Sequence, residues 1–302
     1  MEQFRILNQS SIRMKKRLFV PCKWLVQGFI FFFLMFFLGA CSLPVYKMLG
    51  DEGQAYKVVS SETFKHLWLN NVYFEDIAYP ELRNKHVPVI VFIEGDGVPW
   101  DNRYRIAFEP TSDDPLLIKW FLAAKFPAIY LGRPCYFDLN DKSCSAYWYT
   151  HGRYSEPVVT SLINVINERV PQKNIVLVGH SGGATLALLM AQHLKQVKAI
   201  VTIAGNLNVK AWIEHHQYAT LVGSLDPSTR QASTRHLWQE HYYSPLDTVI
   251  KAEWIKAFSM SQNKSKLIEL PAKGHSQAWN EYQTEIMQRV LEISAALTET
   301  IN

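Results

Sequence analysis

Excess basic charge is missing from this chain once its first segment is set aside. The formal net charge is +4, but residues 1–40 hold six Lys/Arg against one Glu, which leaves about −1 for the rest. A nucleic-acid partner calls for a net basic surface, and the remaining charge makes no electrostatic case for one. Cysteine is sparse too, at four. With no other cysteine or clustered histidine near Cys135 and Cys144, no metal site is expected there. His215 and His216 are adjacent on a predicted helix and cannot share one face around an ion. Cofactor signals are missing as well. Gly95-Asp96-Gly97 lacks the Lys-Ser/Thr that completes a phosphate-binding loop, and Asp96 with Asp101 misses the spacing of a calcium-binding loop. There is no internal repeat and no Pro/Gly/Ser-rich linker, so nothing marks a second domain.

What the front of the chain does have is charge followed by hydrophobicity. Arg5, Arg13, Lys15, Lys16, Arg17 and Lys23 precede a stretch from Gly28 to Ala40 that is almost all Phe, Leu, Ile and Met. A charged region before an apolar one is the layout of a secretory signal. The stretch ends Leu38-Gly39-Ala40-Cys41, which resembles the lipobox of bacterial lipoproteins. That resemblance implies cleavage before Cys41, acylation of Cys41 and membrane attachment through the acylated N-terminus. Ser42 follows in place of Asp, which in the enterobacterial sorting pattern implies the outer membrane. The alternative is an uncleaved anchor, Trp24 to Ala40, at the short limit for spanning a bilayer. Either way the downstream domain faces the periplasm, because the basic flank stays inside. Residues 41–55 are then expected to be a tether. In such an oxidising compartment Cys135 and Cys144 in the polar loop 132–145 are expected to form a disulfide, with free thiols as the alternative.

Residues 56–302 suit a single α/β domain. Apolar runs at 87–93, 127–131, 175–178, 197–204, 240–243 and 266–270 read as strands. Helical patterns at 113–125, 156–170, 248–258 and 277–297 lie between and after them. Alternation of this kind predicts a mostly parallel central sheet flanked by helices on both faces. The aromatic-rich segment 56–79 is expected as antiparallel edge strands. Residues 206–237 are long for a connector, which suggests a small insertion near the site.

One motif concentrates the chemistry. Gly179-His180-Ser181-Gly182-Gly183 sits between the run Ile175–Val178 and the helix-forming stretch that starts at Ala184. G-x-S-x-G between strand and helix is a nucleophile elbow, a turn so sharp that its serine stands exposed at the sheet edge. A serine hydroxyl needs a base, and the base needs an orienting acid. His275 follows the last predicted strand and is the expected base, while His180 is expected to pack. Asp247, in the turn after strand 240–243, is the expected acid. Asp226 is the rival, but Asp226-Pro227 is also a common turn starter, and Glu240 falls inside a strand. The oxyanion is expected to be held by the N–H of Gly182 and by that of Asp96 or Gly97.

Ser181, Asp247 and His275 in this order, with the Glu94–Gly97 loop, make the chain resemble an α/β-hydrolase-fold serine hydrolase. The loop 93–100, the turn Gly132-Arg133-Pro134-Cys135 with Cys144, and Leu246–Ile250 make it similar to Gram-negative α/β-hydrolase lipoproteins. The group's usual Gly-Gly-x-Asp is Ser244-Pro245-Leu246-Asp247 here. The resemblance implies a hydrolase that works through an acyl-serine but does not supply its substrate. Among ester, thioester and amide, a small-molecule or lipid ester is expected, because nothing in the chain marks a peptidase. A surface-anchored binding or scaffold protein on a retired hydrolase fold is the competing class. Trp100, Tyr136, Tyr147, Trp148 and Tyr149 are candidates either for a substrate pocket or for core.

Overall fold

The structure, a computed structural model, describes residues 43–78, 87–102 and 104–299. The expected leader and Cys41 lie outside the described residues. The first elements are α1 (Pro44–Asp51), β1 (Lys57–Ser60), β2 (Lys65–Asn70), α2 (Val72–Ala78) and β3 (Val89–Ile93). A small hairpin of β4 (Trp100–Asn102) and β5 (Arg105–Ile106) follows, then α3 (Leu116–Leu122), β6 (Ala128–Leu131), α4 (Ala146–Tyr149) and α5 (Glu156–Arg169). The second half runs β7 (Ile175–His180), α6 (Gly182–Ala191), β8 (Val197–Ile203), α7 (Val209–His216) and β9 (Trp238–Tyr243). It closes with α8 (Ala252–Met260), β10 (Ser265–Glu269) and α9 (Gln283–Glu299).

Eight strands form one sheet in the order β1-β2-β6-β3-β7-β8-β9-β10. The first two pairings are antiparallel, and those from β6 through β10 are parallel. Side chains alternate across the strands. Val89, Val91 and Ile93 of β3 therefore join the core on the face of α5 and α6, whereas Ile90 and Phe92 join the opposite core with Trp120 and Trp279. Every residue of α6 is buried, as befits a helix that is apolar all round.

Strand order dictates where the site lies. After β3 the chain crosses to β6 on one side, then returns to β7 on the other, so the order reverses between β3 and β7. A crevice opens at the carboxyl ends of parallel strands at such a switch point. The loop after β3 and the turn after β7 meet there, because Ile93 pairs with Gly179.

Two expectations change. Residues 41–55 are not only a tether, because α1 occupies 44–51 with Val45 and Leu49 buried in the core. Pro44 opens the helix at its first turn, and the i, i+4 spacing of the two apolar residues puts both on one face. Tyr46 adds a hydroxyl donated to the Phe137 carbonyl at 2.6 Å. The segment 56–79 holds the antiparallel pair β1 and β2, but its last third is α2, capped by Asn71, whose side chain accepts from Phe74 N–H. Residues 206–237 contain α7 and two 3-10 turns between β8 and β9. Among the described residues no helix is long and apolar enough to cross a membrane.

Two fully buried histidines should weaken the fold in mild acid. Burial pushes His241, on β9, down to about 3, and His66, on β2, down to about 4 despite its bond to the Gly132 carbonyl. Both folded-state values lie below the unfolded value near 6.5, so their contribution is complete above pH ~6.5 and is lost as pH falls. Between pH 6.5 and 4 the unfolded chain takes up protons that the folded one refuses, which should cost a few kcal/mol. Thermal unfolding followed across that range should show a steady fall in midpoint; a flat profile would contradict it.

Candidate active site

Ser181 sits at the N-cap of α6 with φ 51° and ψ −118°, a conformation that a non-glycine residue holds at a cost of about 1–3 kcal/mol. Its surroundings enforce it. Ser181 N–H donates to the Ile203 carbonyl at 3.0 Å, and its own carbonyl accepts from Ala184 and Asn206 N–H. The tight turn also needs glycine at 183, where a Cβ would collide with the Ile93 and Glu94 carbonyls. Strand, turn and helix thus project the serine hydroxyl at the carboxyl edge.

The structure brings the three expected residues into one hydrogen-bonded line. Ser181 Oγ lies 2.8 Å from His275 Nε2, and His275 Nδ1 lies 2.8 Å from Asp247 Oδ2. Asp247 Oδ1 is engaged separately, accepting from Val249 N–H at 2.8 Å and Ile250 N–H at 3.1 Å. Ser244 performs the task of the missing glycines: its hydroxyl accepts from Leu246 N–H and donates to the Ala272 carbonyl. A side-chain hydroxyl here closes the turn and ties the Asp247 loop to the His275 loop. Asp226 is elsewhere, accepting from Ser228 and Lys210 N–H in the insertion, and Glu240 pairs with Arg289.

Electrostatics suit the roles. Burial pushes the Asp247 carboxyl upward, but the hydrogen bond and charge of His275 and the two backbone N–H groups outweigh it and hold it below its ordinary value. Burial lowers His275, and Asp247 opposes that only in part, so the imidazole sits below its usual value. As a base it must be neutral, and it is neutral above its own pKa. The acid limb of kcat/KM should therefore fall below pH ~6.5; a limb above 7 in a pH–rate profile of the purified protein would contradict this.

The Glu94–Gly97 loop packs directly on the elbow. A Cβ on Gly95 would lie 3.3 Å from Ser181 Cβ. Gly97 has φ 61° and no room for a Cβ beside the Pro110 carbonyl, so a side chain there is excluded twice. His180 is buried, as expected of a packing residue, and its Nε2–H donates to the His275 carbonyl at 2.9 Å. Glu94 accepts from Leu117 and Gly95 N–H and lies beside His180.

A cavity of about 720 Å³ opens onto Ser181 and His275. Of the five aromatic candidates only Trp100 lines it; the remaining wall includes Trp212, Tyr218 and Leu221 from the insertion. Tyr136 and Tyr149 are core, with hydroxyls on the Asp96 and Ala107 carbonyls. Trp148 packs edge-on to Phe64, and Tyr147 reaches the Val222 carbonyl. Cys135 and Cys144 are disulfide-bonded. Among the described residues no group of three or more His, Cys, Asp or Glu is placed to hold a metal ion.

Sequence reasoning missed the second layer. Arg133, Arg153 and Tyr154 converge on the Asp96 carboxylate, although they come from two other loops. The one local signal was an arginine in a Gly-Arg-Pro-Cys turn just past a strand.

Residues 154–283, which contain Ser181, Asp247 and His275, match the family described as BAAT / Acyl-CoA thioester hydrolase C terminal. No curated protein matches the chain in sequence. Among solved structures, the Pyrococcus furiosus esterase Pf2001 is similar with a TM-score of 0.56 at 14% identity, covering 83% of this chain and 95% of that one. A membrane phospholipase A, described as a novel bacterial virulence factor, gives 0.58 at 11% identity, over 91% and 99%. A putative lipase from Acinetobacter baumannii gives 0.56 at 12%, over 85% and 95%.

Proposed function

The chain has the α/β-hydrolase fold, and on that fold we propose that it is a serine ester hydrolase working through an acyl-Ser181 intermediate. The carrying observation is the unbroken line from Asp247 through His275 to Ser181, at 2.8 Å for each bond. His275 Nε2 takes the hydroxyl proton as Ser181 Oγ attacks the carbonyl carbon. Asp247 steadies the imidazolium through Nδ1. The Nε2 proton then passes to the leaving oxygen as the tetrahedral centre collapses and the C–O bond breaks. Water, deprotonated by the same nitrogen, releases the acid. The N–H groups of Gly182 and of Asp96 or Gly97 are assigned to the oxyanion.

The apolar part of a mixed wall, with Trp100, Trp212, Leu221, Val249 and Ile250, offers room for an acyl chain, and the names of the similar proteins (an esterase, a phospholipase A, a putative lipase) agree with a small-molecule or lipid ester. A thioester is the second reading, favoured by the family match across the triad segment. We also place the domain on the periplasmic side of a bacterial membrane, anchored through acylated Cys41. That part rests on the sequence alone, and metabolic labelling with a palmitate analogue should be lost in Cys41→Ala.

A fluorophosphonate probe tests the enzyme. The wild type should be labelled, and Ser181→Ala should lose both label and activity, by about 10⁴-fold or more in kcat. Folded protein that stays unlabelled would leave the scaffold class standing. A chain-length series of nitrophenyl esters beside matched acyl thioesters then separates the two substrate readings.

A further inference from the structure

Asp96 is gripped at both ends. Its Oδ1 accepts from Arg133 Nη1 at 2.5 Å; its Oδ2 accepts from Tyr154 hydroxyl at 2.5 Å and from Arg153 Nη1 at 3.1 Å. Its backbone carbonyl accepts from Tyr136 hydroxyl at 2.8 Å. Burial pushes the Asp96 carboxyl upward, yet the two guanidiniums outweigh it and hold it well below the carboxylate range, so it stays charged. Burial pushes Tyr136 up to about 12, so its hydroxyl stays a donor at any working pH. The carboxylate also abuts the elbow, since a Cβ on Gly182 would strike Asp96 Oδ1 and the Tyr154 hydroxyl.

Peptide planarity turns that grip into direction. In a trans peptide the C=O and the next N–H point opposite ways, so fixing the Asp96 carbonyl on Tyr136 fixes the Gly97 N–H. The side-chain grip anchors Cα of Asp96 as well, so the Asp96–Gly97 peptide plane is held from both ends. We propose that Tyr136 is a positioning residue that acts through Asp96 to aim the oxyanion-hole loop, and that the disulfide-closed loop 132–145 is therefore part of the catalytic apparatus. This rests on the proposed hydrolase activity. The holder is itself held: Tyr136 adjoins the Cys135–Cys144 bond and lies against the Arg133 guanidinium, 5.0 Å from its ring centroid. Glu109 binds the N–H groups of Phe137 and Asp138 on the same loop. Its neighbour Pro110 accepts from Val98 N–H, closing the far side of the Gly97 turn.

Donors aimed at an oxyanion act in the transition state more than on bound substrate. Tyr136→Phe keeps the ring and removes only the hydroxyl. It should lower kcat about tenfold with KM within about twofold, a fraction of the cost of losing a donor outright. Affinity for a trifluoromethyl ketone, which forms a tetrahedral adduct on Ser181, should fall by the same factor. The acid limb of the pH profile should not move, because Asp247 and His275 are untouched. If Tyr136→Phe fails to fold, Tyr154→Phe loosens Asp96 from another element and should give the same split. A labelled wild type with unchanged kcat in the variant, or with a rise in KM alone, overturns the proposal and leaves the hydrolase reading intact. A wild type that neither labels with fluorophosphonate nor hydrolyses esters overturns both.

Discussion

Replacing Asp247 by Asn should lower kcat about 10⁴-fold while the fold persists. The reason lies in how the carboxylate divides its two oxygens. Oδ1 faces the N–H groups of Val249 and Ile250, and Oδ2 faces His275 Nδ1. An amide must keep its oxygen on the two N–H donors, since an NH₂ there would meet donor with donor. Its NH₂ then confronts Nδ1 and forces that nitrogen to accept. The imidazole proton moves to Nε2, the atom facing Ser181 Oγ, and no base remains for the hydroxyl. Unfolding curves of wild type and variant should overlay within about 1 kcal/mol, since the shape and most of the hydrogen bonds survive. Asp226→Asn is the control; it sits in the insertion turn and should retain full activity. Equal activity in Asp247→Asn would remove Asp247 as the acid.

The second large effect is on stability. Glu240 is wholly buried on β9, and Arg289 from α9 approaches it with Nε at 2.9 and 3.1 Å and Nη2 at 2.7 Å. A buried carboxylate stripped of its partner is expensive, typically 3–5 kcal/mol. Arg289 is about one-third exposed, so solvent recovers part of that, and Arg289→Ala should cost about 3 kcal/mol. At about 2–4 °C per kcal/mol for a domain of this size, the midpoint should drop by roughly 6–12 °C. Glu240→Gln combined with Arg289→Ala should recover part of the loss, because the uncompensated charge is gone. Activity at low temperature should not change, since neither residue borders the cavity. A drop under about 1 kcal/mol for Arg289→Ala would mean that Trp238 and Tyr242, both within hydrogen-bond reach of Glu240, suffice alone.

Much of this chemistry was legible because it is local. The elbow needs a strand, a sharp turn and a helix in immediate succession, and Ile175 to Met190 spells all three. Asp247 and His275 stood out as candidates because each follows a strand, and parallel strands deliver their following loops to the same edge. The Ser244-Pro245 turn looked like a departure and is one in sequence only, since the serine hydroxyl closes it. At the front of the domain the reverse holds: 44–51 reads as tether, and α1 exists because Val45 and Leu49 find a core waiting.

The sequence by itself determined the periodicities and the glycine-bound turn, set by neighbours a few residues apart, and the order in which Ser181, Asp247 and His275 follow their strands. Only the tertiary structure decided which charges meet in the interior. Arg133, Arg153 and Tyr154 lie 37, 57 and 58 residues from Asp96, and Arg289 lies 49 from Glu240. A charge enters a protein core only when its partner arrives with it, and which partner arrives depends on how strands stack side by side, a relation that no local window of the chain contains.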